Sequence, residues 1–292
     1  MVKPADNLET LVAAELAIPV DPRIAAMAEA IAAQYGAASR AVLFYGSCLR
    51  TRELEGQMLD FYLIVSDYRA AYGKKWLATA NRLIPPNVFP FAHGGLAAKY
   101  AVLSEDDLTA LCGPEASAVS VWARFAQPSR LVWSRDAQAA ARVVASVAEA
   151  PRTLVALTPA RPDDDALAIW HRGFALTYSA ELRAERAGRS GSIVDFAPDY
   201  YGRLSVAMEA DPPQRLPGLD QRWRRLRRNG KALTLVRLAK ASLTFAGGID
   251  YLAWKINRHA GTQLVIRPWQ RRFPILGAIT LLPRLFARGA VR

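Results

Sequence analysis

The chain has 292 residues, 52% hydrophobic and 22% charged, which is enough apolar chain for one large or two medium domains with cores and points to a globular chain and not a disordered one. Cys48 and Cys112 make no disulfide framework, and the dispersed His93, His171 and His259 have no metal-ligand spacing, as expected of a protein from a reducing cytosol. The net charge of +12 is uneven: residues 215–292 hold 17 Lys/Arg against Asp220 and Asp250, a net of +15, and the remainder holds 21 basic and 24 acidic residues, a net of −3. A polyanionic surface, membrane or nucleic acid, is the expected partner of that last quarter.

Residues 8–35 read as two Ala-rich helices separated at Pro19 and Pro22. The first twenty residues carry three acids and no long apolar run, so neither a secretory signal nor a basic transit peptide is expected. No stretch reaches the roughly 18 apolar residues of a spanning helix, and a soluble or peripheral protein is expected. Val42–Tyr45 reads as a buried strand that breaks at Gly46-Ser47, and Asp60 opens a second strand, DFYLIV. A helix is expected over Tyr68–Leu83, ended by Pro85-Pro86, with a turn-rich loop over Asn87–Gly95.

Ala98–Ser104 alternates as a third strand, with Lys99 and Ala101 on one face and Tyr100 and Val102 on the other. Ser104 opens a helix in capping fashion, Arg130–Trp133 is a short strand, and Asp136–Ala150 a further helix. The segment TPARPDDD at 158–165 reads as a linker and marks a domain boundary. A long helix is expected over Ala166–Arg186, a Pro-rich loop over Asp211–Pro217, and helix again from Lys231 to Arg258.

The chemistry concentrates in AVLFYGSCLRTRELEGQMLDFYLIVSD, residues 41–67. Gly46 lets the backbone approach phosphates, Ser47 adds a hydroxyl and an amide, and Asp60 can hold a divalent cation against a triphosphate. A two-metal site wants a second carboxylate two residues along the same strand face, where this chain has Tyr62. Glu53, Glu55 and Asp67 are the candidates for the missing ligand, and no spacing rule selects among them.

Five collinear pieces, from about residue 40 to 258, resemble the mitochondrial-type CTP:phosphatidate cytidylyltransferases. YGSCLR…GQMLDF is similar to that family's YGSG…(N/Q)MLDF, and AAKYAVLSEDDL at 97–108 to its Lys-Tyr-Gly-Val strand and acidic helix. ARFAQPSRLVWS at 123–134, TYSAELR at 177–183 and AKASLTFAGG at 239–248 resemble further family stretches. Two departures stand out. Cys48 replaces the second glycine of Gly-Ser-Gly, and the family's Asp-Asp after the strand is Ser66-Asp67. In the family, too, the residue two after the first Asp is uncharged, so Tyr62 conforms to its pattern.

The resemblance implies an α+β chain in three parts: a nucleotidyltransferase-fold mixed-sheet domain at 1–157, a smaller winged-helix-like helical domain at 158–230, and a basic, amphipathic, membrane-binding region at 231–292. It implies transfer of CMP from CTP to phosphatidate with Mg²⁺, giving CDP-diacylglycerol and pyrophosphate for phospholipid biosynthesis. Asp60 and Lys99 are then the expected catalytic residues, Gly46, Ser47 and Lys240 the expected phosphate-binding residues, and Asp60 with Asp67 the expected metal ligands. Glu181 and Arg183 are placed at the interdomain cleft.

RWRRLRRNGK at 222–231 packs six basic residues into ten, and the tail from Ile266 interleaves Trp269, Phe273, Leu276, Leu282 and Phe286 with arginines. That is the pattern of a segment lying in the headgroup plane. The expected location is the cytoplasm, bound peripherally to the inner face of the cell membrane. The alternatives are a nucleotidyltransferase acting on a soluble or RNA acceptor, and a non-catalytic nucleic-acid or membrane binding protein. Nucleic acid is the less expected partner, because the basic run has no stacking aromatic beyond Trp223.

Overall fold

The computed structural model describes residues 7–181, 191–214, 216–244 and 265–272. Asn7 caps α1 (Leu8–Leu16), its Oδ1 accepting from the Thr10 amide at 2.7 Å, and Asp21 caps α2 (Pro22–Ala33) with Pro22 in the first turn. The first buried strand is β1 (Ser39–Tyr45), followed by the short α3 (Ser47–Thr51) and β2 (Met58–Val65). Then come α4 (Tyr68–Ala71), α5 (Lys75–Leu83), β3 (Asn87–His93), β4 (Leu96–Ser104), α6 (Glu105–Cys112), α7 (Trp122–Phe125) and β5 (Arg130–Ser134). Among the described residues, helices follow: α8 (Ala137–Leu157), α9 (Ala168–Ala180), α10 (Gly191–Phe196), α11 (Pro198–Ala210), α12 (Leu219–Thr244) and α13 (Pro268–Arg272).

The protein is α+β, built on a five-stranded mixed sheet in the order β3-β4-β2-β1-β5. β2 and β4 run parallel and the other pairs antiparallel. Strand alternation sends Leu43, Tyr62, Ile64 and Leu103 to one face, under a layer containing α1, α7, α8, α9 and α11. Val42, Phe44, Phe61, Leu63 and Val102 go to the other face, under α2. Each such side chain contributes about 1.5–3 kcal/mol when fully buried, so a one-residue slip of β2 would expose Leu59, Phe61, Leu63 and Val65 to the wrong layer. That register is what holds Asp60 in place.

Several boundaries differ from expectation. Asn87–His93 is a strand, not a loop: Gly94 and Gly95, both at positive φ, make a two-residue hairpin turn into β4, and Pro90 is tolerated because β3 is an edge. The helix over 68–83 is two helices, broken around Gly73. α8 continues through Pro151 to Leu157, because Val143, Val147, Ala150, Leu154 and Leu157 keep one buried stripe. α9 ends at Ala180, and the rest of the helix expected to Arg186 lies outside the described residues.

The expected divisions at 157/158 and 230/231 are not breaks in packing. Trp170, Phe174, Tyr201 and Trp223 share one core with Leu43 and Tyr62, and α12 begins at Leu219 and runs through the second division. Among the described residues, 158–230 is helical and contains no strand. The region 231–292, expected to bind membranes, lies mostly outside the described residues, and among those described no helix is long and apolar enough to cross a membrane.

α12 explains the basic run. Trp223, Leu226, Gly230, Arg237 and Lys240 recur at helical spacing on the stripe that meets the protein. Arg224, Arg225, Arg227, Arg228 and Lys231 are exposed on the rest of the circumference. Trp223 gives its indole N–H to the Leu157 carbonyl at 2.7 Å, so the run's aromatic ring serves the core and its arginines serve the surface.

Candidate active site

Three neighbouring strands bring one row of side chains together. Tyr45 of β1 pairs with Asp60 of β2, and Asp60 with Lys99 of β4, all on the sheet face covered by α7 and α12. Lys99 Nζ lies 2.9 Å from Asp60 Oδ1, an ion pair retaining partial exposure on both sides. The separation follows from the register, since adjacent strands put directly opposed residues about 4.8 Å apart.

β1 ends over this carboxylate. Gly46 has φ +100°, and a Cβ there would stand 2.9 Å from Asp60 Oδ2. Only glycine accepts both the backbone angle and the approach. Ser47 follows on the exposed surface as the first residue of α3. Cys48, standing where the resembled family has glycine, is buried with its thiol facing the Met58 carbonyl at 3.8 Å, and burial together with Asp60 raises its pKa.

Over the row sit three charged groups from three helical segments. Arg124 of α7 donates to the Ser120 carbonyl and lies 3.8 Å from the Glu181 carboxylate at the end of α9. Arg237 of α12 donates to the Ser120 hydroxyl at 2.7 Å and to the Pro85 carbonyl at 2.8 Å. Burial works against the charge on Arg124, but Glu181, Tyr62, Tyr45 and Asp60 outweigh it and raise the pKa. For Arg237 burial wins, with the like charge of Arg124 adding to it, and the pKa is lowered. Burial, then the Asp60 charge, holds the Tyr45 phenol well above its usual range, so it remains a neutral donor at pH 7.

The structure brings together Gly46, Ser47, Asp60, Lys99 and Glu181. It does not bring Asp67 to them. Asp67 lies seven residues along from Asp60, at the other end of β2 and about 23 Å away, where its carboxylate caps α4 by accepting from the Arg69 and Ala70 amides at 2.7 and 3.0 Å. It is therefore a helix cap and not a metal ligand beside Asp60. Glu55 is engaged by Arg23 at 2.6 Å, and Glu53 is exposed.

Lys240 is also employed differently from expectation. Its ammonium donates to the Ile84 and Pro86 carbonyls, the latter at 2.8 Å, clamping α12 to the entry of β3. Burial, then the neighbouring Arg237, lowers its pKa to about 7. Arg183 lies outside the described residues. Arg124 and Arg237 carry no site assignment from the sequence, although Arg237 had a legible signal as a charged residue on the inward stripe of α12.

Among the described residues no three His, Cys, Asp or Glu side chains gather to hold a metal. Mg²⁺ does not require such a group: it keeps several waters and takes one or two carboxylates plus substrate phosphates. Asp60 offers such a carboxylate, with Oδ1 against the Lys99 ammonium at 2.9 Å and Oδ2 beside Gly46. A groove of about 610 Å³ between α1 and α11 shares no residue with this cluster and is mainly apolar. No protein-family model and no curated protein matches the chain.

Proposed function

We propose that the chain is a nucleotidyltransferase of the nucleotidyltransferase fold that joins CTP to phosphatidate, releasing pyrophosphate and forming CDP-diacylglycerol. The carrying observation is the corner in which Gly46 closes on Asp60 Oδ2 while Lys99 pairs with Oδ1. It combines a close backbone approach, one carboxylate and one ammonium within a single strand register. Phosphoryl transfer needs those three elements more than it needs a strong base.

A phosphatidate oxygen would attack the CTP α-phosphorus, forming one P–O bond while the bond to the pyrophosphate oxygen breaks. The attacking phosphate monoester is already ionised near neutral pH, so no side chain must remove a proton. Gly46 and Ser47 would cradle the triphosphate. Lys99, held beside Asp60 at 2.9 Å, would neutralise the developing pyrophosphate charge. When bound, Mg²⁺ neutralises triphosphate oxygens. Asp60 alone of the residues here would hold it.

Lipid as acceptor is supported by the resemblance and by the charge at the end of the chain. Trp269 is 42% exposed and Val265 84%, beside the exposed Arg267, as suits a segment in a headgroup layer. The exposed arginines of α12 face away from the Arg237 stripe, across a helix about 10–12 Å wide. Bilayer attachment through them and the chemistry at the Gly46–Asp60–Lys99 corner are therefore separate tasks.

The test is incubation with labelled CTP, Mg²⁺ and phosphatidate vesicles. Label is expected in the lipid phase, absent with Asp60→Ala and reduced on deletion of 263–292. Label on a soluble acceptor alone, or undiminished lipid product from Asp60→Ala, overturns the proposal.

A further inference from the structure

Arg124 and Arg237 arrive from different helices and are tied to the same residue, one through the Ser120 carbonyl and the other through its hydroxyl. Each also interacts with Tyr62 of the site row and with Glu181. Among the described residues, the Glu181 carboxylate acts on both guanidinium groups, and Asp60, itself paired with Lys99, acts on Arg124 as well. Each lacks the two-oxygen fork that a carboxylate gives a well-paired arginine: Arg124 is 3.8 Å from Glu181, and Arg237 is held by a carbonyl and a hydroxyl. Two cations gathered where burial penalises charge are relieved by an anion, and guanidinium is the side chain whose planar fork matches phosphate oxygens. Neither arginine belongs to the Gly46–Asp60–Lys99 corner. They come from α7 and α12, and that corner belongs to the sheet.

We infer that Arg124 and Arg237 form a second phosphate subsite, facing the Gly46–Asp60 corner, which takes the phosphate monoester of the acceptor. The assignment rests on the nucleotidyltransferase reading for the identity of that acceptor. It deepens that reading by dividing the labour: the sheet side holds the nucleotide and the arginine pair presents the nucleophile. In-line displacement requires that the incoming phosphate and the leaving pyrophosphate lie on opposite sides of the α-phosphorus, so two separate anion sites are needed.

The test uses the full chain with Arg124→Gln, Arg237→Gln and Arg237→Lys, each checked by thermal melting. Inorganic phosphate binding is measured by calorimetry. Either glutamine variant is expected to weaken it at least about tenfold, with Arg237→Lys intermediate because it keeps the charge and loses the fork. With phosphatidylcholine vesicles containing phosphatidate, the glutamine variants should raise KM for phosphatidate and leave CTP affinity unchanged.

Wild-type phosphate affinity in both glutamine variants overturns the subsite. If a glutamine variant fails to melt cooperatively, Arg237→Lys carries the test, and unchanged phosphate affinity there has the same force. Loss of pyrophosphate inhibition with an unchanged phosphatidate KM would assign the pair to the leaving group and refute the acceptor role. Arginine-dependent phosphate binding without any lipid product would keep the subsite and remove the lipid acceptor. Lipid product with an unchanged phosphatidate KM in all variants would do the reverse.

Discussion

One substitution, made at two places, should change stability in opposite directions. Gly202 and Gly230 both sit inside helices, α11 and α12, and neither has a positive φ. Glycine inside a helix costs roughly 1 kcal/mol against alanine, so Ala at an unobstructed position stabilises by about that much. Gly202 is such a position, since an added Cβ meets nothing within 4 Å. At Gly230 the Cβ would stand 2.3 Å from the Ala180 carbonyl oxygen, a backbone atom that cannot rotate away. To reach even 3.0 Å, α12 must retreat from α9 by about 0.7 Å, the difference between those two distances.

That retreat acts on the stripe that carries Arg237 and Lys240. Their bonds to the Pro85 and Pro86 carbonyls, both 2.8 Å, are stretched together, and each charged hydrogen bond contributes about 1.5 kcal/mol. Gly230→Ala is therefore expected to lose about 2–3 kcal/mol after the helix-propensity gain, and Gly202→Ala to gain about 1 kcal/mol. Urea unfolding followed by circular dichroism measures both, and melting temperatures should move by about 2–4 °C per kcal/mol. If Gly230→Ala is neutral or stabilising, the close crossing of α9 and α12 is not what seats Arg237, and the argument from helix contact to site geometry fails.

Asp60→Asn keeps the shape of the corner and removes its charge, so turnover should fall at least about a hundredfold with the melting temperature nearly unchanged. Gly46→Ala should cost about 1–3 kcal/mol of stability and most of the activity, because it forces a side chain onto a φ of +100° and against Asp60 Oδ2. Lys240 titrates near 7 when folded and 10.5 when unfolded, so the unfolded chain binds more protons between those values and stability should rise with pH across that window. Denaturant unfolding between pH 7 and 9 should show Lys240→Met lacking a slope of up to about 1.4 kcal/mol per pH unit. Replacing Arg224, Arg225 and Arg228 by Ser should weaken flotation with anionic vesicles by about 3 kcal/mol at low salt, and Trp269→Ala should show its effect at high salt, where charge is screened.

The strand–Gly-Ser–strand pattern with Asp60 was legible because it is local: β1, the turn and β2 lie within thirty residues, and strand periodicity reports which face Asp60 occupies. For Lys99, alternation in AKYAVLS gave only its face, shared with Ala101; its assignment to the site came from the family resemblance, and the parallel β2–β4 pairing sets it against Asp60. Asn87–His93 misled because Pro90 and the Gly94-Gly95 pair look like loop chemistry, whereas an edge strand tolerates the one and a hairpin turn uses the other. Asp67 was attractive as a carboxylate close in sequence to Asp60. Extended backbone carries it the length of the strand instead, which no count of intervening residues conveys.

From the residues alone follow most of the elements, the uneven charge and the Gly46–Asp60 strand–turn–strand pattern, products of short-range periodicity and backbone preference, whereas Lys99 was assigned to the site by the family resemblance. The folded chain alone decided that Arg124 and Arg237 join Glu181 over the Gly46–Asp60–Lys99 corner, that Lys240 serves as a clamp, and that the arginine run turns its tryptophan inward. Those outcomes depend on how α7, α9 and α12 cross the sheet. The crossing is set by close contacts such as Gly230 against Ala180, which join residues fifty positions apart and leave no periodic trace in the chain.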